Sequence, residues 1–323
     1  MVPHISGRCQ PDWGRALTNT SPYERVLVTG ATGFIGRHVV SRLRTAGTEI
    51  AAVSLHGGQI EGVRVDALDL RDREHSHAML SELEFDAVVH LAASLPEGTD
   101  PNTMQESFDG SVASAVTIVS FCRSTGCPLV WASSSSVYGS MTGEPPVSED
   151  QLPRPETLYA VAKYIGDVLC LQLSLETGVP ASILRLSAPY GPGNRRSTVI
   201  DIFLRAALES EDIRLQGSGR RAQDFTFIDD VVDAIERALL LLPSGVFNVA
   251  TGRPVSMRDL AEAVLSAVPE SRSRIVSGGG ADPQEDYRAF MEVSKARERF
   301  GWSARVPLVE GLRLTASAIE AGR

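Results

Sequence analysis

Short runs of β-branched and aliphatic residues alternate with longer amphipathic stretches along most of this chain. Arg25 to Thr29 (RVLVT) reads as a strand, Phe34 to Thr45 as a helix, and Glu49 to Ser54 and Asp86 to Leu91 (DAVVHL) as further strands. Thr103 to Ser124 reads as a helix and Pro128 to Ser133 as a strand. A polar loop with prolines and glycines, Gly139 to Glu156, leads into a helix over Thr157 to Glu176 and a strand over Ala181 to Leu186. Strands separated by helical crossovers lie parallel, and parallel strands covered on both faces read as unbroken apolar runs, as VLVT and AVVHLA do here. The pattern predicts a doubly wound α/β fold built on a parallel sheet.

Past Pro189 the rhythm shortens. A helix is predicted over Ser197 to Glu209, a strand over Asp224 to Ile228, a helix over Asp230 to Leu242, a strand over Val246 to Val249, and a helix over Ser256 to Val268 with Ser256 as its N-cap. Ser277 to Pro283, with three consecutive glycines, reads as a loop, and Leu308 to Ala321 as a last helix. The expected organisation is a poorly ordered tail at 1–24, a main unit at 25–188 and a smaller α/β cap at 189–323. Some segments of the cap return to the sheet, and the cap covers the carboxyl edge, where open α/β folds bind ligands.

Composition narrows the partners. The 323 residues are 43% apolar and 22% charged, enough to bury a large core. The net charge is −9, from 31 basic and 40 acidic residues, and the basic residues form no block; a small molecule is the expected partner, not nucleic acid or a membrane surface. No uninterrupted apolar run reaches the ~18 residues of a membrane span, and residues 1–24 are polar and broken by Pro3, Pro11 and Pro22, so the expected location is the cytoplasm. Cys9, Cys122, Cys127 and Cys170 form no CxxC pair and the histidines no HExxH spacing, so no metal site or disulfide framework is expected.

Gly30, Gly33 and Gly36 lie in TGATGFIG, directly after the first strand and opening the first helix. Small residues there let this backbone, with Thr32, Phe34 and Ile35 between them, approach a pyrophosphate at the helix N-terminus, and the segment reads as a dinucleotide-binding (Rossmann) turn. Tyr159 and Lys163, four residues apart on a predicted helix, leave one face; an ammonium beside a phenol stabilises the phenolate and suits it to proton transfer. Taken alone, that pair is more often a solvated helix face. Ser133 to Ser136 end a strand where a substrate carbonyl is held in such folds, although a serine run also simply ends strands.

Together these segments resemble the extended short-chain dehydrogenase/reductase family, of the NAD-dependent epimerase/dehydratase type, from Arg25 onward. The family's TGxxGxxG corresponds to Thr29 to Gly36, its SSxxVYG to Ser133 to Gly139, and its YxxxK to Tyr159 to Lys163, 25 residues beyond Ser134. Further echoes are Asp69 and Leu70, where members hold adenine, His90 with Leu91, Ala92 and Ala93 along the cofactor, Tyr190-Gly191-Pro192, and Asp224 to Asp230. The resemblance implies that Tyr159 exchanges a proton with a sugar hydroxyl or carbonyl oxygen and that Ser134 hydrogen-bonds that oxygen. It implies too that Lys163 lowers the tyrosine pKa and binds the nicotinamide ribose, while hydride moves between carbon and cofactor.

Departures from the family pattern refine this. NAD-preferring members end the second strand with an acid for the ribose 2′-OH; Ser54 stands there, and Arg37 follows the third glycine, which favours NADP(H) over NAD(H). Ser135 and Ser136 replace the acid pair of the sugar dehydratases, which argues against that chemistry. An asparagine that many epimerases place before VYGP is Ala188, and the arginine expected before Asp224 is Gln223. Arg195, Arg196, Arg220 and Arg221 remain as partners for a substrate diphosphate. The implied reaction is NADPH-dependent reduction of a nucleotide-activated, dTDP-linked 4-keto-6-deoxy sugar, with Ser135 and Ala188 near the sugar. The alternatives are a nucleotide-sugar 4-epimerase that keeps NAD bound, and a non-catalytic dinucleotide-binding sensor or scaffold. Members often dimerise through two long helices, so a homodimer is expected through Thr103 to Ser124 and Thr157 to Glu176, with Val112, Val116, Val119, Leu169 and Leu173 as candidate contacts.

Overall fold

The structure is a computed structural model that describes residues 23–94 and 100–322, so the expectation for nearly all of the N-terminal tail lies outside the described residues. The first half runs β1 (Arg25–Thr29), α1 (Phe34–Thr45), β2 (Glu49–Ser54), β3 (Gly58–Ile60), β4 (Val63–Ala67), α2 (Arg73–Glu82), β5 (Ala87–His90), α3 (Pro101–Thr125), β6 (Leu129–Ser134), α4 (Leu158–Thr177) and β7 (Ala181–Leu186). It continues with β8 (Pro189–Tyr190), α5 (Val199–Leu208), β9 (Ile213–Leu215), β10 (Ala222–Gln223), β11 (Thr226–Phe227), α6 (Ile228–Leu241) and β12 (Gly245–Val249). The chain closes with β13 (Val255–Ser256), α7 (Met257–Ala267), β14 (Ile275–Ser277), α8 (Ser294–Phe300) and α9 (Leu308–Ala321).

Eight strands form one sheet in the order β12-β7-β6-β5-β1-β2-β4-β3. Both faces are covered, which is why its strands are apolar at successive positions: Val26 and Val28 of β1 join one core, with α1 and α6, while Leu27 joins the other, under α2, α3 and α4. The sheet is parallel except at its edge, where β3 runs antiparallel to β4. The cause is a two-residue turn, Glu61 and Gly62, both at positive φ, which closes a hairpin between β3 and β4. No element had been read between residues 55 and 85. β4 is only half covered at the sheet edge, and α2 buries only Ser76 and Leu80, so neither leaves a strong apolar pattern.

Past β7 the predicted strand over Asp224 to Ile228 shrinks to β11, two residues long, because α6 already begins at Ile228. Asp224 is buried and accepts from the Thr251 and Arg253 amides, and Asp230 accepts from those of Arg305 and Val306, so both acids tie loops to the core. β12 returns to the main sheet beside β7. Ser256 caps α7 as predicted, accepting from the Asp259 amide at 3.0 Å. By length and composition α4 alone among the described helices is apolar enough to cross a membrane; it packs against α3 and β6, with Lys163 and Asp167 on its buried face.

Candidate active site

Strand order reverses between β1 and β5, so the chain leaves their carboxyl ends in opposite directions and opens a crevice there. Gly30 makes the turn out of β1 at φ 65°, and a Cβ on it would lie 2.7 Å from the Ala92 amide nitrogen. A Cβ on Gly36 would collide with the Gly30 carbonyl, so α1 can start this close to β1 only with glycine. Gly33 precedes α1 as its N-cap and offers no side-chain cap, which leaves the helix's first N–H groups and the positive end of its dipole facing the crevice. The Thr29 hydroxyl pins the other wall: it takes the Leu91 and Ala92 amides at 3.3 Å and meets His90 Nδ1 at 2.8 Å.

Two cavities meet at this turn, sharing Gly30, Gly33, Leu91 and Ala93. One, of about 280 Å³, is lined by Thr32, Ser54, Asp69, Leu70 and Ala92. The other, of about 680 Å³, is lined by Phe34, Ile35, Gly36, Ser134, Tyr159 and Lys163. A long ligand with a doubly charged centre and two separate heads fits this shape: a dinucleotide, with its pyrophosphate at α1 and its adenosine in the smaller cavity.

In the adenosine cavity Thr32 donates to the Ser54 hydroxyl at 3.0 Å. Asp69 is gripped by Arg71 through Nε and Nη2, and those hydrogen bonds hold its carboxyl below the ordinary range. Arg37 was expected near Ser54. It donates instead to the Thr32 carbonyl at 3.1 Å and lines a third cavity, of about 370 Å³, on the other side of α1's start.

At the reacting end Ser134 closes β6 and accepts from the Ser136 hydroxyl at 2.9 Å. Tyr159 and Lys163 follow the start of α4, which Thr157 caps by accepting from the Ala160 amide. Burial pushes the Tyr159 phenol up, while the Ser134 hydroxyl and the charge of Arg196 draw it down. Lys163 is buried, with Nζ donating to the Ala132 carbonyl at 2.8 Å and lying 6.0 Å from the Tyr159 ring centre; burial pushes its ammonium down to about 8. His90, expected along the cofactor, lies beneath the site. It is stacked on Trp131 at 4.8 Å and held neutral by burial and Lys163, at about 3.

Of the residues expected near the substrate, Ala188 lines the larger cavity, while Ser135 is buried in the turn after β6 and lines neither cofactor cavity. The arginines part company. Arg196 lines the larger cavity and Arg195 the third one. Arg220 pairs with Glu285 and Arg221 with Asp282 and Gln284, away from all three. Met104, Asn194 and Thr198 also line the larger cavity and carried no sequence signal. Composition held one unused signal: of 31 basic residues only Lys163 and Lys295 are lysines, and the first is buried here.

Residues 26–250 match the model of the NAD-dependent epimerase/dehydratase family. The chain is 30% identical to a UDP-glucose 4-epimerase of Mycolicibacterium smegmatis over 90% of its length and 97% of that protein's. The crystal structure of a UDP-glucose 4-epimerase of Thermotoga maritima with UDP-glucose superposes with a TM-score of 0.83 at 25% identity, covering 92% of this chain and 99% of that one. MoeE5, solved with NAD and UDP-glucose or with NAD and UDP-glucuronic acid, is 31% identical. The first complex has a TM-score of 0.78, covering 92% of this chain and 99% of that one, and the second 0.79, covering 93% and 100%.

Proposed function

The chain belongs to the NAD-dependent epimerase/dehydratase family, and we propose that within it the protein is a nucleotide-sugar 4-epimerase, acting on a nucleotide-activated hexose or hexuronate. The observation that carries this reading is the single cavity in which the glycine turn meets Ser134, Tyr159 and Lys163. The glycine turn and Lys163 would hold NAD there, and it would supply a reversible hydride acceptor, so that the reaction carries no net redox change. Tyr159 takes the C4 hydroxyl proton as the C4–H bond breaks and gives it back when that bond re-forms on the opposite face. Ser134 donates to the same oxygen, and the Lys163 charge favours the phenolate. Arg196 places a second cation within electrostatic reach of the phenol, which suits a sugar with a carboxylate at C6.

A second reading, the NADPH-dependent 4-ketoreductase implied by the sequence, is favoured by one observation: hydroxyls of Thr32 and Ser54, with no acid, meet at the end of β2. Purified protein is given UDP-glucose or UDP-glucuronic acid with no added cofactor, and the anomeric proton is followed by NMR. Conversion of either to its 4-epimer supports the epimerase. If neither reacts and NADPH is consumed one-for-one with a 4-keto sugar, the reductase takes its place.

The homodimer remains part of the proposal. Val168 and Leu175 are exposed on α4 at 45% and 86%, whereas two of the expected contacts, Val119 on α3 and Leu173 on α4, are core. A monomer mass by light scattering at micromolar concentration refutes it.

A further inference from the structure

Asp167 follows Lys163 by four residues, as Lys163 follows Tyr159, so the three side chains share one face of α4. Asp167 is fully buried: Oδ1 accepts the Trp131 indole N–H at 3.2 Å and Oδ2 accepts Arg185 Nε at 3.0 Å. Arg185, on β7, is equally enclosed. Its guanidinium lies 4.7 Å from the centre of the Tyr138 ring, whose hydroxyl donates to Asn248 on β12 at 2.8 Å. Trp131 is clamped between His90 and α4 at Gly166, where any Cβ would collide with the indole.

An aspartate four residues beyond a lysine on a helix lies on the same face and within reach of that lysine's ammonium. Here the carboxylate goes to Arg185, and Lys163 turns to the Ala132 carbonyl, with no carboxylate at ion-pair distance among the described residues. The buried set therefore holds two cations against one carboxylate. His90 is neutral, and burial keeps the Cys170 thiol and the Tyr138 phenol protonated. One positive charge is left over beside Tyr159, and a Tyr159 phenolate balances it.

We propose that Arg185 and Asp167 are positioning residues for the proton transfer: Arg185 occupies Asp167, so that the Lys163 charge stays directed at Tyr159, while Asp167, one step removed, keeps Lys163 charged in its buried site. This rests on Tyr159 and Lys163 being the acid–base pair. The titratable and charged groups around Lys163 are Tyr159, Asp167 and Cys170 on its own helix, His90 on β5, Arg185 on β7 and Arg196 before α5; β6 adds Trp131, Ser133 and the Ala132 carbonyl. Burial pushes Lys163 down, and Asp167 and then Cys170 draw it up. Burial pushes Asp167 up, while Arg185, Ser133 and Lys163 draw it down.

With only two lysines in the chain, protein labelled at lysine 13Cε gives two side-chain signals, and Lys295→Arg assigns them. The titration needs neither cofactor nor substrate. Wild-type Lys163 should titrate with a midpoint near pH 8. Arg185→Met hands Asp167 to Lys163 and raises the midpoint by about one unit, and Asp167→Asn lowers it by about one unit. The double replacement Asp167→Asn with Arg185→Met removes both members of the buried ion pair together and strands neither partner, so it folds if the singles do not, and its midpoint falls between theirs. Midpoints that all coincide with wild type, or a fall in Arg185→Met, overturn the proposal. Shifted midpoints in a protein that epimerises nothing refute the proposed function alone.

Discussion

The two ends of the ligand crevice are built to different standards. At the reacting end Ser134 closes a strand in the middle of the sheet, and Tyr159 and Lys163 stand on a helix wedged between α3 and β6, with Lys163 only 5% exposed. At the adenosine end Ser54 is followed by Leu55, 50% exposed, and Asp69 and Arg71 hold each other at the surface. Packing leaves the buried groups one arrangement. The exposed pair has several of similar energy, since such ion pairs contribute only ~0 to 1 kcal/mol. The contrast teaches that the buried end of the crevice is fixed by the core of the fold, whereas its open end is a rim that can change without disturbing that core.

The largest effect expected is at the reacting end. Tyr159→Phe removes the proposed proton carrier and keeps the ring that lines the larger cavity, so turnover should fall by ~10² to 10⁴ while calorimetric NAD binding is unchanged. Turnover within tenfold of wild type would break the contrast. Gly36→Ala, where the two ends meet, forces α1 away from the Gly30 carbonyl; an overpacking cost of about 1 to 3 kcal/mol should weaken NAD about 5- to 150-fold and lower Tm. At the open end Asp69→Ala should cost about fivefold or less in NAD affinity, as fits an exposed ion pair. The smallest effect is a gain. Ala188 is held at φ 33°, a region asparagine tolerates and alanine does not, so Ala188→Asn should stabilise the fold by about 0.5 to 1 kcal/mol, read as a rise in Tm.

The same division governs what could be read in the sequence. The glycine turn, the strand-ending serine and the four-residue step from Tyr159 to Lys163 are local patterns whose geometry follows from a strand end or a helix turn, and the structure brings all of them into one crevice. β4 and α2 were silent because each buries so little. Arg195 and Arg196 are indistinguishable as letters, yet a one-residue offset in the loop before α5 sends them to different cavities. Arg220 and Arg221 are drawn off by Glu285 and Asp282, partners far along the chain that no local pattern reveals. Asp167 and Arg185 were hidden for the same reason: their meeting depends on α4 lying across β7.

The central claim is that hydride leaves and returns to the same carbon inside one crevice. UDP-glucose and UDP-glucuronic acid carrying deuterium at C4 test it when incubated with the purified protein in ordinary water without added cofactor. The account predicts a 4-epimer that keeps the deuterium at C4. Loss of the label from the product, or no product until NADPH is supplied with a 4-keto sugar, would contradict it.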